Sequence, residues 1–167
     1  MADSIRSTIL YIVLGVLLAF GINQGLAFAL TTDTPIVAVE SNSMAGTKPD
    51  SFTKGALLVL RGEEKYEVGD TIVYSVPGQS TPIVHRIISI NADESYQTKG
   101  DANAAQLPFE THVAQSQTHG KVIFIMPYLG YVKIFVTETV LPNIIIVVIA
   151  LIVIAASTLI IDRVSKH

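Results

Sequence analysis

Pro82-Ile83-Val84-His85-Arg86-Ile87-Ile88-Ser89-Ile90 is the stretch on which the fold reading turns. Its β-branched residues and period-two pattern predict a strand of the soluble part of the chain. Alternation places His85 on one face with Ile83 and Ile87 and sends Arg86 to the other. A histidine on an apolar face is usually a satisfied core residue. It also fits a partly desolvated base, kept neutral near pH 7 because burial disfavours the cation.

The flanking sequence repeats the same grammar. Pro35 to Val39, Ala56 to Arg61, Thr71 to Ser75, Tyr96 to Lys99 and Thr118 to Met126 read as further strands. Turn residues separate them, among them Gly69-Asp70 and Pro77-Gly78, and Pro127 ends the last. No long amphipathic helix, internal repeat or low-complexity segment interrupts the pattern. Short strands bounded by turns predict a mostly β domain, a small barrel or sandwich.

The two ends differ from this middle. Of 167 residues, 50% are hydrophobic and only 15% charged. That charge is low for a soluble globular chain, and the apolar excess lies at the termini. Ser7 to Ile22 carries no charge, and Leu26 to Leu30 resumes the run after Asn23-Gln24-Gly25. Together they reach the roughly 20 residues a membrane-spanning helix requires. Ala27-Phe28-Ala29 also has the small-x-small form of a signal-peptide cleavage site. The run is long for a cleaved signal, so an uncleaved anchor is the expectation. Val140 to Ile161 is equally free of charge and predicts a second span, with Pro142 tolerated at its start. Arg6, Arg163 and Lys166 lie at the two ends, which puts both termini in the cytoplasm. The expected organisation is a cytoplasmic stub and anchor over 1–30, an extracytoplasmic β domain over 31–139, a C-terminal span over 140–161 and a cytoplasmic tail over 162–167.

Composition also excludes chemistry. A net charge of -3 gives no reason to expect nucleic acid. The absence of cysteine removes disulfides, thiolate catalysis and cysteine-ligated metal. His112 and His119 lack a third ligand at suitable spacing for zinc and read as surface residues. Tyr128 and Tyr131 suit either a membrane interface or the core.

The candidate nucleophile lies in Val39-Glu40-Ser41-Asn42-Ser43-Met44, where the soluble part begins. In an extended segment Ser41 and Ser43 point to the same side, so one can attack while the other donates to the oxyanion. A serine in such a stretch is more often a plain turn residue. Lys99-Gly100-Asp101-Ala102-Asn103 reads either as a turn or as the source of a carboxylate that orients the imidazole.

Taken in order, several short motifs resemble the type I signal peptidases. They are Ser41-Asn42-Ser43-Met44, Val68-Gly69-Asp70-Thr71-Ile72-Val73, Val84-His85-Arg86-Ile87, Lys99-Gly100-Asp101-Ala102-Asn103, Gly120-Lys121-Val122 and Pro127-Tyr128-Leu129-Gly130-Tyr131-Val132. Histidine where bacterial members carry lysine points to the archaeal and endoplasmic-reticulum branch. The resemblance covers about residues 31 to 135. It implies a small signal-peptidase-like β domain and a membrane-bound serine endopeptidase that removes signal peptides from exported preproteins after a small-x-small motif. It implies Ser43 as nucleophile, His85 as general base, Ser41 as oxyanion donor and Asp101 as the family's Gly-Asp aspartate. It implies no cofactor and no metal. Its implied partners are preprotein signal peptides, the lipid bilayer and the secretion translocon.

Two positions depart from the family pattern. Ser43-Met44-Ala45-Gly46-Thr47 has glycine where proline is usual. Leu107 stands where related members carry a second aspartate, often assigned to the triad. Asp101 then takes the orienting role, or Glu110 reaches in, or a Ser-His pair works without a carboxylate; Asp101 is the first expectation. An inactive relative, a peptidase dedicated to one surface protein and a membrane-anchored β module without catalysis are the competing readings.

Overall fold

The computed structural model describes residues 2–143, together with Ile145, Ile146, Val148, Ile149, Val153, Ala156 and Ser157. Helix α1 spans Ala2–Ala29 and runs unbroken through Asn23-Gln24-Gly25. Its stretch Ser7–Ala29 is long and apolar enough to cross a membrane. The large apolar side chains from Ile9 to Ile22 are exposed, as a bilayer-facing helix requires. The expected second span over 140–161 falls in part, and the tail over 162–167 wholly, outside the described residues.

Six strands follow: β1 (Ile36–Ala38), β2 (Leu57–Arg61), β3 (Thr71–Tyr74), β4 (Ile83–Ile90), β5 (Tyr96–Lys99) and β6 (Thr118–Met126). They form one sheet in the order β1-β2-β6-β3-β4-β5, and every neighbouring pair is antiparallel. The expectation of a small barrel or sandwich is therefore corrected to a single sheet with β1 and β5 at its ends. Register shifts break the β2–β6, β3–β6 and β4–β5 ladders. Such bulges bend and twist strands, and they account for curvature that brings β1 and the start of β4 to one cleft although three strands lie between them.

A single sheet needs cover on both faces, and the chain supplies two cores. On one side Leu58, Leu60 and Val73 pack with Val39, Met44, Phe52 and Ala56. On the other Ile72, Tyr74 and Ile87 pack with Tyr66, Tyr96 and Val113. Strand β3 is buried throughout because it faces both. Truncating Leu58 or Leu60 to alanine, both wholly buried, costs about 2–5 kcal/mol. Met44, next to Ser43, belongs to the first core, which ties the Ser43 backbone to the sheet.

Three short elements were not visible in the residue pattern. The 3-10 turns Pro108–Glu110 and Gln115–Gln117 sit between β5 and β6. Helix α2, Gly130–Ile134, follows β6 and passes into a π-helical turn over Phe135–Val140. The start of α2 sits tightly on the β1–β2 connection: Gly130 N–H donates to Gly55 O at 2.9 Å. Gly55 adopts φ +87°, and a Cβ there would meet the Tyr131 ring at 2.0 Å. Tyr131 thus lies against Gly55 while remaining partly exposed, and Tyr128 is more exposed still.

Candidate active site

The cleft is lined by Val37 to Ser41 and Ser43 on one side, and by Thr81 to His85 on the other. Leu107 and Phe109 close one end. Ser41, Ser43 and His85, singled out from sequence, therefore share one cavity.

Ser43 leaves the extended segment in a turn whose carbonyl accepts from Ala102 N–H at 2.8 Å. Ser41 Oγ lies 3.1 Å from Ser43 Oγ and accepts from Ser43 N–H at 3.5 Å. The two donors wanted for an oxyanion, the Ser43 amide and the Ser41 hydroxyl, are adjacent. Gly100 holds the other side. A Cβ at Gly100 would come 2.7 Å from Ser43 O and 2.8 Å from His85 Nε2. The Ser43 backbone and the His85 imidazole are thus held on either side of one residue that has no side chain.

His85 sits opposite Ile72 in the β3–β4 ladder, on the apolar face that alternation predicts. Its ring is buried, 4% exposed for the residue. Nδ1 is hydrogen-bonded to Glu110 Oε1. Glu110 is wholly buried, and its other oxygen accepts from Leu107 N–H at 2.5 Å. Glu110 N–H donates to Leu107 O at 2.9 Å, closing the turn around Pro108. Behind this pair Tyr74 Oη and Thr98 Oγ1 share a 2.8 Å hydrogen bond. Burial raises the Tyr74 hydroxyl above the usual tyrosine range, so that side stays neutral. Burial pushes the His85 pKa below the ordinary imidazole value, and the Glu110 carboxylate opposes that shift. Burial favours the neutral imidazole; with Nδ1 on the Glu110 carboxylate, Nε2 is the nitrogen left beside Gly100 and Ser43 O, the arrangement a general base needs.

Asp101, the expected orienting group, is aimed elsewhere. Arg86 binds it in a fork, Nε to Oδ1 at 3.0 Å and Nη2 to Oδ2 at 2.7 Å. Lys48 Nζ adds a bond to Oδ1 at 2.8 Å. Arg86 also holds Asp50 and the Gly69 carbonyl. The reason is alternation along β4: Arg86 projects from the face opposite His85, and Asp101 meets Arg86. Its carboxyl is held below the usual aspartate range, chiefly by the Arg86 hydrogen bonds. The network ties the loop after Ser43, through Lys48 and Asp50, to the Gly100-Asp101 turn and to β4.

Glu110 was the weaker alternative in the sequence. Its signal is an acidic residue two positions after Pro108, a helix-start signature too short to stand out. The glycine departure also has a local account. A Cβ at Gly46 would lie 2.9 Å from Ser51 Oγ, a buried hydroxyl without a hydrogen-bond partner among the described residues. Glycine leaves the room that Ser51 occupies. His112 is exposed beside Asp93. His119, read as a surface residue, is half-buried between Ser75 and Asp33. Among the described residues no histidine or carboxylate cluster is placed to hold a metal.

No family profile matches the chain. Curated proteins do. The signal peptidase complex catalytic subunit SEC11 of Chaetomium globosum is 34% identical over 131 residues, covering 72% of this chain and 74% of that protein. The protein of that name from Yarrowia lipolytica is 31% identical over 151 residues, covering 82% and 85%. That from Saccharomyces cerevisiae is 36% identical over 126 residues, covering 69% and 73%.

Proposed function

The chain belongs to the family of signal peptidase catalytic subunits, and from that membership we propose that it is a membrane-anchored serine endopeptidase removing signal peptides from exported preproteins. The observation that carries the reading is the cleft in which Ser41, Ser43 and His85 meet, with Glu110 behind the imidazole.

The chemistry runs through these groups. His85 Nε2 takes the proton from Ser43 Oγ as it attacks the scissile carbonyl. Nδ1–H stays on the ring and donates to Glu110, which steadies the imidazolium as it forms. The oxyanion is held by Ser43 N–H and the Ser41 hydroxyl. His85 then gives its proton to the leaving amine, and water hydrolyses the acyl-enzyme. Glu110 acts through His85 and is a positioning residue; Asp101 braces the loops that carry Ser43.

The substrate lies extended in the cleft, paired with the free side of β1. Alanine and valine side chains of residues 37–39 leave shallow space there, which suits small residues before the scissile bond. α1 anchors the enzyme in the bilayer, and a substrate whose apolar segment shares that bilayer is presented at high effective concentration. A second span over 140–161 belongs to the same reading, with both termini cytoplasmic and the β domain outside. The bilayer, preproteins and the secretion translocon are its partners.

Cleavage of a membrane-inserted preprotein tests this. Ser43→Ala and His85→Ala each abolish the cut while the folded domain persists. Full activity in either variant sinks the mechanism. An inactive subunit is the second reading, motivated by Leu107 where a triad aspartate was expected. Glu110 beside His85 weighs against it.

A further inference from the structure

The edge on which a substrate would pair is not open along its whole length. β1 has one neighbour, β2, with Val37 opposite Leu58. Leu60 N–H donates to Pro35 O, and Val39 N–H to Ala56 O, each at 2.9 Å. Antiparallel pairing alternates, so Pro35, Val37 and Val39 turn their backbone groups toward β2. Ile36 and Ala38 turn theirs to the free side. Among the described residues nothing bonds the Ala38 N–H or carbonyl. The Ile36 carbonyl, however, is taken: Lys133 Nζ donates to it at 2.5 Å.

Lys133 reaches that carbonyl from a rigid mount. It lies on α2, whose first residue is pinned on the β1–β2 connection. A Cβ at Gly130 would come within 2.2 Å of Ala56 O, so only glycine lets the helix start this close to the β1–β2 connection. The Lys133 side chain is half-buried against the strand. Burial holds its ammonium below the usual lysine range, and the Glu40 carboxylate opposes that shift. A desolvated ammonium is costly to keep in place without use. Exposed strand edges are commonly blunted by lysine against unwanted pairing. Here the blunting is selective. Ile36 is closed, while Ala38 and the stretch on to Ser43 remain open and line the cleft.

Given that an extended peptide docks on β1, as proposed above, we infer that Lys133 is a positioning residue that closes the docking edge at Ile36. The substrate strand pairs with Ala38 and runs toward Ser43. Farther from the scissile bond it meets an ammonium rather than a carbonyl, and its next inward amide has no acceptor. Lys133 thereby ends substrate recognition by the backbone one residue pair beyond Ala38 and keeps the same edge from recruiting other strands.

A backbone N-methyl scan of a synthetic signal peptide tests this, using the full-length enzyme in detergent micelles. With the wild-type enzyme, methylating the amide that pairs with the Ala38 carbonyl raises KM at least about tenfold. Methylating the amide two residues farther from the scissile bond changes it less than about twofold. In Lys133→Met, which keeps the apolar stem and removes the donor, the Ile36 carbonyl is freed. KM for the unmodified peptide then falls about threefold, and the second amide becomes sensitive by about fivefold or more. Lys133→Arg restores the wild-type profile. A merely structural lysine would lower activity on every peptide by the same factor and leave the profile unchanged, which overturns the inference. So does a wild-type enzyme sensitive at both amides. A wild-type enzyme that cuts the peptide but ignores N-methylation throughout removes the docking edge and the role of Lys133 together, with Ser43 chemistry intact. A wild-type enzyme that cuts no signal peptide removes the peptidase reading itself.

Discussion

The imidazole of His85 and the carboxylate of Glu110 are hydrogen-bonded in the interior, although 25 residues separate them in the chain. Glu110 has no exposure and is clamped through its second oxygen by Leu107 N–H. Its first oxygen is hydrogen-bonded to the His85 ring. Glu110→Gln keeps the size and removes the charge. An amide can also present a donor to Nδ1 and favour the wrong tautomer. The expected outcome is a fall in kcat of about 10²–10⁴, by analogy with loss of the carboxylate in a serine-protease triad. KM stays nearly constant, because Glu110 is buried behind the base. Steady-state kinetics on a preprotein checks this, and a loss under threefold would falsify the assignment.

The pH profile gives a second, independent reading of the same pair. The working form of His85 is neutral. Burial lowers its pKa below the usual imidazole value, and Glu110 raises it in part. The acid limb of kcat/KM therefore lies below pH ~6.5. Removing the Glu110 charge removes an influence that raises the pKa. The limb in Glu110→Gln moves to still lower pH even as the rate falls. The stability sign follows from the same depression. Above the unfolded imidazole value neither state is protonated and the full contribution is present. As pH falls below that value the unfolded state takes up the proton first, so stability is lost toward the lower folded value. An acid limb at or above pH 6.5 in the wild type would contradict the buried neutral base.

Asp101→Asn separates bracing from base support. Asp101 is 7% exposed at its side chain and shares Arg86 with Asp50. Breaking such a pair leaves a partly uncompensated guanidinium, at the low end of about 3–5 kcal/mol because Asp50 remains. Denaturant unfolding of the variant shows the loss. The Asp101 carboxyl is depressed in the folded state, so its contribution is present above the ordinary aspartate value and lost as pH falls through the folded value. In the variant that acid-side loss is reduced. The acid limb of activity moves much less than in Glu110→Gln. A variant of wild-type stability with a strongly shifted limb would restore Asp101 as the orienting group.

The sheet was legible because its signal is local. Period-two runs between turn residues place β4 to within one residue at its start, Ile83–Ile90 against the expected Pro82–Ile90. They also put His85 and Arg86 on opposite faces, which the β3–β4 register bears out. Where Asp101 points is not legible in that alternation, since the partner of Arg86 depends on a turn after β5. Glu110 reaches His85 through a 3-10 turn of three residues, too short to leave a periodic pattern. α2 was hidden for the same reason, at five residues. Lys133 meets Ile36 across 97 residues of sequence, and no residue pattern reports which carbonyl an ammonium will find.

Ser41 carries a prediction of its own. Its hydroxyl is 3.1 Å from Ser43 Oγ and accepts from the Ser43 amide at 3.5 Å, so the two groups sit side by side. Ser41→Ala removes one oxyanion donor and leaves the nucleophile and base in place. The expected loss is about 10²–10³ in kcat with little change in KM. Single-turnover cleavage measures it directly. A change under twofold assigns Ser41 to the turn alone.

Gly100 tests whether the geometry between the two arms of the site is as tight as it looks. Its missing side chain would meet Ser43 O at 2.7 Å, Asn103 Nδ2 at 2.8 Å and His85 Nε2 at 2.8 Å. Asn103 Nδ2 ends a side chain that can swing aside, but Ser43 O is backbone and His85 Nε2 belongs to a buried ring. Gly100→Ala must therefore push the imidazole and the serine loop apart. Displacement by about 1 Å is enough to cost about 10²-fold in rate when reacting groups need near-attack geometry. The His85–Glu110 bond and the Arg86 network do not pass through Gly100, so most of the stability is retained. The expected result is a folded domain with kcat lowered by about 10²-fold or more and an acid limb displaced from its wild-type position, because the proton-accepting nitrogen is the atom that is crowded. Wild-type kinetics in Gly100→Ala would show that Ser43 and His85 are not held together across this residue.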